Sequence, residues 1–247
     1  MTAPARRIAL FSDVHGNAVA LDAVFADIEH TGIEEIYCLG DLVGYGPDPA
    51  GVIERVRSRG IPTVRGNYDE GVGSRRGDCG CYYATDQAAA DGQASYAFTD
   101  AVLDDADHEW LVSLPDEIRF EHEGTRVLLC HGSPRKINEY LLPDRSDEQL
   151  LRLAQAAAVD VVCVGHVHIP YHRMMAAADG HRVDYISTGS VGKPKDGDPR
   201  ACWVEFVLGE GSVTSHAHRV EYDVTRVVAA VRAAGLPESL GTALLNG

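Results

Sequence analysis

Lysine is almost missing from this chain. Of 247 residues only Lys136, Lys193 and Lys195 carry an ammonium side chain. Positive charge is scarce and falls to arginine, with 22 Lys plus Arg against 37 Asp plus Glu and a formal net charge of −15 at pH 7. Duplex nucleic acid and anionic membrane surfaces both draw basic faces, so sequence-independent binding to either is disfavoured. Only a local basic or metal-loaded patch would overturn that. Beside abundant alanine, the lysine scarcity itself reads as coding bias and not as mechanism. Long apolar runs are missing too. None approaches the 18 residues that suggest a membrane span, and the apolar stretch after Arg7 meets Asp13 too soon for a signal peptide, so a cytoplasmic protein is expected. Neither a Pro- or Ser-rich linker nor an internal repeat is present, and residues 1–247 read as one domain. At 45% hydrophobic and 24% charged, the composition excludes disorder and leaves an ordinary globular chain. Nothing in it sets an oligomeric state.

What is present is a βα rhythm. Arg7–Phe11 reads as a strand, and the segment after it places Leu21, Val24, Phe25 and Ile28 at i, i+3, i+4 and i+7, one face of a helix. Glu35–Leu39 reads as a second strand. Asp48 as N-cap and Pro49 at N1 then open a helix that closes near Gly60, and Ile61–Arg65 follows as a third strand. Strands roughly 25–30 residues apart joined by helices predict parallel pairing through right-handed crossovers. The second half is richer in strands. A helix containing Trp110, Leu111 and Leu114 stops at Pro115, and Glu117–His122 and Thr125–Cys130 form a hairpin about Glu123-Gly124. Ser146 with Gln149 has the form of a capping box for a helix to about Ala158. Strands follow at Asp160–Val164, Arg182–Ile186, Ala201–Leu208 and Val213–Val220, then a last helix from Val224 to Ala234. The pattern itself establishes a mixed α/β chain.

Polar residues collect just past the strands. The first runs into Ser12-Asp13-Val14-His15, the second into Gly40-Asp41, the third into Gly66-Asn67-Tyr68-Asp69, another into His131-Gly132-Ser133, and the Asp160 strand into Gly165-His166-Val167-His168. In open α/β sheets the carboxyl edge of the strands is where ligand sites form. Singly, each piece has a plain reading, because loop histidines are ordinarily solvated and Gly-Asp turns are common. Jointly, seven O and N ligand types at equivalent places on successive strands favour a ligand site over those plain readings. His30, His108, His122, His216 and His218 lie on helices or strands and read as surface residues, while His172 stays open. Cys38, Cys130 and Cys163 sit in apolar runs as small hydrophobes, whereas Cys79 and Cys81 lie in a Gly-rich stretch as loop thiols or as a metal or redox pair.

The set Asp13-x-His15, Gly40-Asp41, Gly66-Asn67, His131 and Gly165-His166-x-His168 resembles the calcineurin-like metallophosphoesterases, with their D-x-H, G-D, G-N-H-[DE], H and G-H-x-H signature. Gly189-Ser190-Val191-Gly192 and Asp196–Arg200 look like the compact bacterial and archaeal phosphodiesterase branch. The resemblance implies an α/β fold of two mixed β-sheets packed as a sandwich and flanked by helices. It also implies two metals, the first on Asp13, His15 and His168, the second on Asn67, His131 and His166, with Asp41 bridging. Imidazole, carboxylate and amide together suit Mn²⁺, Fe²⁺/³⁺ or Zn²⁺ better than Mg²⁺ or Ca²⁺. Two such ions against two carboxylates leave about +2, so an anionic ester can bind on an acidic body.

The implied activity is hydrolysis of a small phosphate ester by a metal-bridging hydroxide, as phosphodiesterase or phosphatase. Asn67 is then expected to ligate metal and orient phosphate, with Gly132 and Ser133 as further donors near it. One departure stands out. Tyr68 replaces the His of G-N-H-[DE], and a phenol with pKa near 10 is a weaker acid than imidazolium at pH 7. Tyr68 is thus either a poor general acid, favouring substrates whose leaving groups need little protonation, or a packing residue. Tyr45 is a candidate for stacking on a base. Arg75, Arg76, Cys79, Cys81, Tyr82 and Tyr83 could overhang the site, and Arg65 and Arg135 lie close to motif residues. Two alternatives stand beside this reading, a DNA nuclease of the same superfamily and a non-catalytic scaffold with the same fold.

Overall fold

The computed structural model describes residues 5–177, 179–209 and 211–247. The chain begins with β1 (Arg6–Phe11), α1 (Ala18–Thr31), β2 (Ile36–Cys38), α2 (Pro49–Ser58), α3 (Asn67–Gly73), α4 (Asp86–Val102) and α5 (Asp105–Ser113). It continues with β3 (Glu117–His122), β4 (Thr125–Cys130), α6 (Asp147–Ala157), β5 (Val161–Val164), β6 (Pro170–Ala176) and β7 (Arg182–Thr188). The last elements are β8 (Ala201–Gly209), β9 (Ser212–Val220), α7 (Val224–Ala233) and α8 (Glu238–Ala243).

Two mixed sheets result. One has the order β2-β1-β8-β9 and the other β3-β4-β5-β7-β6. The β1–β2, β4–β5 and β5–β7 pairs are parallel and the rest antiparallel. Side-chain alternation explains why the sheets stack. Ile8 and Leu10 of β1 join Val127 and Leu129 of β4, Val161 and Cys163 of β5, Ile186, Val204 and Phe206 in one core shared by both sheets. The intervening Ala9 and Phe11 face α1 and α2 on one outer side, and Leu128 and Cys130 face α6 on the other.

The helices that carry loops into the site are capped as their residues dictate. The Asn17 side chain accepts from Ala20 N at 3.0 Å to start α1, and Leu21, Val24, Phe25 and Ile28 are its buried stripe. Asp48 accepts from Gly51 N at 3.0 Å, with Pro49 in the first turn of α2.

Five local expectations need correction. Ile61–Arg65 is no full strand. It makes one parallel bridge, Thr63 to Cys38, because Pro62 offers only its carbonyl, 3.1 Å from Cys38 N, and has no N–H to extend the ladder. Ser146 precedes α6 but its side chain caps nothing. His108 is buried, its Nδ1–H donating to Val72 O at 2.9 Å. β6 is an additional edge strand, opened by Pro170 and too polar for a strand pattern. α4 is an additional helix, whose buried side is Asp91, Gly92, Ser95, Tyr96 and Thr99, so it lacks an apolar period.

Candidate metal centre

Every loop that the motifs mark leaves the sandwich at the same end, where β1, β2, β4 and β5 finish and α3 begins. There the ligand-type atoms of Asp13, His15 and His168 lie within 4.8 Å of one another, as do those of Asp41, His131 and His166. All six residues are buried. Asp41 joins the two groups, with Oδ2 3.3 Å from His131 Nε2 and 3.7 Å from His15 Nε2.

Backbone carbonyls orient the imidazoles. Nδ1–H donates from His15 to Val43 O at 3.0 Å, from His131 to Leu39 O at 2.7 Å and from His168 to Lys193 O at 2.5 Å. Each Nε2 is thereby turned inward as a ligand, the arrangement metal-binding histidines adopt. Burial lowers the pKa of His15 and of His166 to about 3 and holds His168 well below its ordinary value, so these three rings are neutral. Burial alone would lower His131 as well, but the Asp41 carboxylate outweighs it and lifts the ring to about 9. Asp13 is pushed up to about 7 by burial and then by the charge of Asp41. Burial works on Asp41 in the same sense, yet His131 and His15 hold it below the usual carboxylate range.

The two neutral rings of the first group meet as acceptors, His15 Nε2 facing His168 Nε2 at 3.3 Å, while His131 Nε2 lies 3.1 Å from Asn67 Oδ1. Asp13 Oδ1 and His166 Nε2, one in each group, are buried without a hydrogen-bond partner. Lone pairs gathered in this way are stabilised by cations, so the donor set fits a metal in each group.

The outer oxygens of the aspartates are fixed. Asp13 Oδ2 accepts from Ser12 Oγ at 2.5 Å and from His166 N at 3.0 Å, and Asp41 Oδ1 accepts from Tyr68 N at 2.8 Å. Asp69, which the motif reading left without a role, ties the loops together. Its carboxylate accepts from Asp41 N at 2.8 Å, Leu42 N at 2.9 Å and Gly66 N at 2.9 Å. Gly66 is dictated by this crowding, since a Cβ there would lie 2.1 Å from Asp41 N.

The other candidates are placed as follows. The Asn67 amide nitrogen donates to Cys79 O at 2.9 Å and to Cys81 Sγ at 3.1 Å, so its hydrogens point at the loop and its oxygen at the centre. The cysteine pair thus sets the amide, a role no sequence pattern signalled. Tyr68 is buried, its ring edge-on to His15 at 5.4 Å and its hydroxyl 3.4 Å from that of Tyr83. Tyr45 is edge-on to His15 at 4.9 Å, and Lys193 Nζ covers its ring at 4.3 Å. Gly132 packs against Ile137, and the Ser133 hydroxyl donates to Glu139 at 2.7 Å, away from the centre. Arg65 pairs with Asp116, Arg75 with Asp105, Arg76 with Glu70 and Arg135 with Glu139, and none of the four joins the ligand groups. Tyr82 is exposed. His172 pairs with Asp184 at 2.8 Å, outside the centre. Two features went unread in the sequence. Tyr140 covers the His166 ring at 4.1 Å, and Lys193 with Lys195 flanks the centre, the only signal having been the rarity of lysine.

A family model described as the calcineurin-like phosphoesterase superfamily domain matches residues 7–208. An uncharacterized protein of Methanocaldococcus jannaschii is 33% identical over 252 residues, with 97% of this chain and 98% of that protein covered. A solved metallophosphoesterase from Sphaerobacter thermophilus is 32% identical at a TM-score of 0.73, covering 98% of this chain and 99% of that one. A hypothetical protein from Pyrococcus horikoshii OT3 shares the fold at a TM-score of 0.82 with 22% identity, covering 98% of each chain.

Proposed function

The chain belongs to the calcineurin-like phosphoesterase superfamily, and from that premise we propose that it is a dinuclear metal-dependent hydrolase of small phosphate esters, a phosphodiesterase, a phosphatase or both. One observation carries the reading. The Asp41 carboxylate reaches both an Asp13–His15–His168 group and a His131–His166 group, and each group holds a buried atom with no hydrogen-bond partner. Asp13, His15 and His168 would hold one ion, Asn67 Oδ1, His131 and His166 the other, and Asp41 both. Transition-metal ions bound there lower the pKa of a shared water and polarise a phosphoryl oxygen. The imidazole-rich set favours Mn²⁺, Fe²⁺/³⁺ or Zn²⁺.

The rest is done by the chain's own groups. Carbonyl-bonded Nδ1–H groups keep the histidines aimed, burial keeps His15 and His168 in the neutral form, and Asp69 keeps the Asp41 and Asn67 loops in register. Tyr68 gives no acid for a leaving alkoxide. Burial pushes its pKa well above the ordinary value, and its hydroxyl lies beside Tyr83. The preferred substrates are therefore those with good leaving groups, such as aryl phosphates, cyclic nucleotides and phosphoanhydrides. A formal charge of −15 supports a small ester over extended nucleic acid, and no described helix is long and apolar enough to cross a membrane. Six free thiols support a cytoplasmic setting.

Metal analysis coupled to a panel of aryl monoester, aryl diester, cyclic nucleotides and dinucleoside polyphosphates tests the proposal. Asp41→Asn is expected to lower bound metal from two ions and to reduce turnover by more than the roughly 10–100-fold typical of groups beyond the ligands. Turnover equal to the parent protein in Asp41→Asn would overturn the bridging role.

A further inference from the structure

We propose that Lys193 and Lys195 form a second anion subsite beside the metal centre, which takes a phosphoryl group one anhydride link away from the one that reacts. The substrate class becomes phosphoanhydrides and other doubly phosphorylated small molecules, an inference that rests on the phosphoesterase reading above.

The first ground is place. The segment after β7 is bonded on both sides of His168, whose Nδ1–H donates to Lys193 O at 2.5 Å and whose own carbonyl accepts from Lys195 N at 3.4 Å. Ser190 Oγ accepts from Lys193 N at 2.8 Å and donates to Asp13 O at 2.7 Å, locking the same segment to the β1 loop. The Lys193 ammonium lies 4.3 Å from the Tyr45 ring, which itself meets the His15 ring at 4.9 Å, and the Lys195 charge is felt by Asp13, Asp41, His15, His166 and His168, members of both ligand groups. An anion between them would lie to the Asp13–His15–His168 side, next to Tyr45.

The second ground is lack of a partner. Nearby arginines meet carboxylates, as Arg200 meets Asp198 and Arg219 of β9 meets Asp196. Among the described residues neither lysine ammonium forms an ion pair or a hydrogen bond, in a chain with 37 carboxylates to choose from. Lys193 is half-buried, held over the Tyr45 ring, and its far side is closed by Val227, Val231, Leu240 and Leu244 around a crevice of only about 10 Å³. Lys195 is exposed as a side chain, yet its ammonium sits close enough to the protein that burial lowers its pKa, and the two cations repel each other. A half-buried ammonium beside a second like charge and without a counterion is costly unless an anion completes it. A tyrosine that presents Lys193 by a cation–π contact, on a chain almost free of lysine, is built for that anion.

The experiment is calorimetric titration of the metal-loaded protein, at fixed free Mn²⁺, with methylenediphosphonate and with methylphosphonate. Hydrolysis of p-nitrophenyl phosphate, a monoester, and of bis(p-nitrophenyl) phosphate, a diester, is followed in parallel. The parent protein is expected to prefer the diphosphonate, and Lys193→Met and Lys195→Met should each cut that preference about tenfold, the order of one charge-assisted hydrogen bond. Lys193→Arg should keep most of it. Thermal midpoints and metal content of each variant show that fold and centre are intact. Equal binding of the two phosphonates, or a loss in the lysine variants that is the same for both, overturns the subsite. Absence of hydrolysis of both p-nitrophenyl phosphate and bis(p-nitrophenyl) phosphate, with the diphosphonate preference and its lysine dependence preserved, overturns the phosphoesterase reading instead.

Discussion

Asp13, His15, Asp41, His166 and His168 all hold left-handed backbones, with φ of 53°, 48°, 54°, 66° and 61°. A non-glycine residue pays roughly 1–2 kcal/mol for that conformation, and it survives only where neighbours over-determine it. For Asp41 that neighbour is Asp69, whose carboxylate accepts from the backbone N–H groups of Asp41, Leu42 and Gly66. Asp69→Ala would strand those buried N–H groups, and we expect a loss of about 2–4 kcal/mol by denaturant unfolding together with metal affinity weaker by about 10–100-fold. Tyr68→Phe should leave turnover of an aryl phosphate within about twofold and the metal content unchanged, because the ring packs on His15 and the hydroxyl lies among Tyr83, Tyr45 and Cys79, none of them in the two ligand groups. A steep loss on an alkyl diester alone would restore Tyr68 as the acid. The ligand-type residues were legible because each follows directly after a strand or glycine turn. Asp69, Cys79 and Cys81 were not, because their work is to hold backbone and amide groups from outside the centre, and such contacts have no spacing rule. Lys193 and Lys195 were visible but were taken for compositional bias.

Between β4 and α6 the chain runs through a loop that starts at His131 and is braced at Glu139. That carboxylate accepts from Ser133 Oγ at 2.7 Å, Arg135 at 2.6 Å and Arg145 at 2.8 Å. The Arg135 guanidinium and its companions bring the Glu139 pKa down from 4.5 to about 2. A depressed folded value means stability that is present above the unfolded pKa and is lost as pH falls through the folded one. Glu139→Gln should therefore lower the melting temperature by ~2–4 °C at pH 6, the size expected of about 1 kcal/mol in a chain of this length. The gap should close between pH 4.5 and 2, and a gap independent of pH would remove Arg135 and Arg145 as its cause. At this scale the periodic elements were legible in sequence, including α1, the β3–β4 hairpin and the strands at β7, β8 and β9. Where periodicity fails, so did legibility. α4 buries polar residues, β6 is a polar edge strand, and Ile61–Arg65 has the apolar look of a strand but a proline where a ladder donor is needed.

Across the whole molecule, a core shared by two sheets is the reason we read the chain as one folding unit. The chain is acidic overall by formal charge, yet its basic side chains are treated in two ways. Arginines spend their charge on local carboxylates, while the two lysines next to the centre keep theirs.

Sulfur follows an equally uneven distribution. Cys38, Cys79, Cys130, Cys163 and Cys202 are buried, and Cys81 alone is partly open, touching the amide of Asn67. N-ethylmaleimide followed by mass spectrometry should therefore count about one fast adduct on the folded protein, from the Cys79–Cys81 pair, and six after unfolding. The native molecule would then offer a single attachment point for an environment-sensitive fluorophore, one side chain away from the centre, whose emission would register the arrival of a cation without any engineered cysteine.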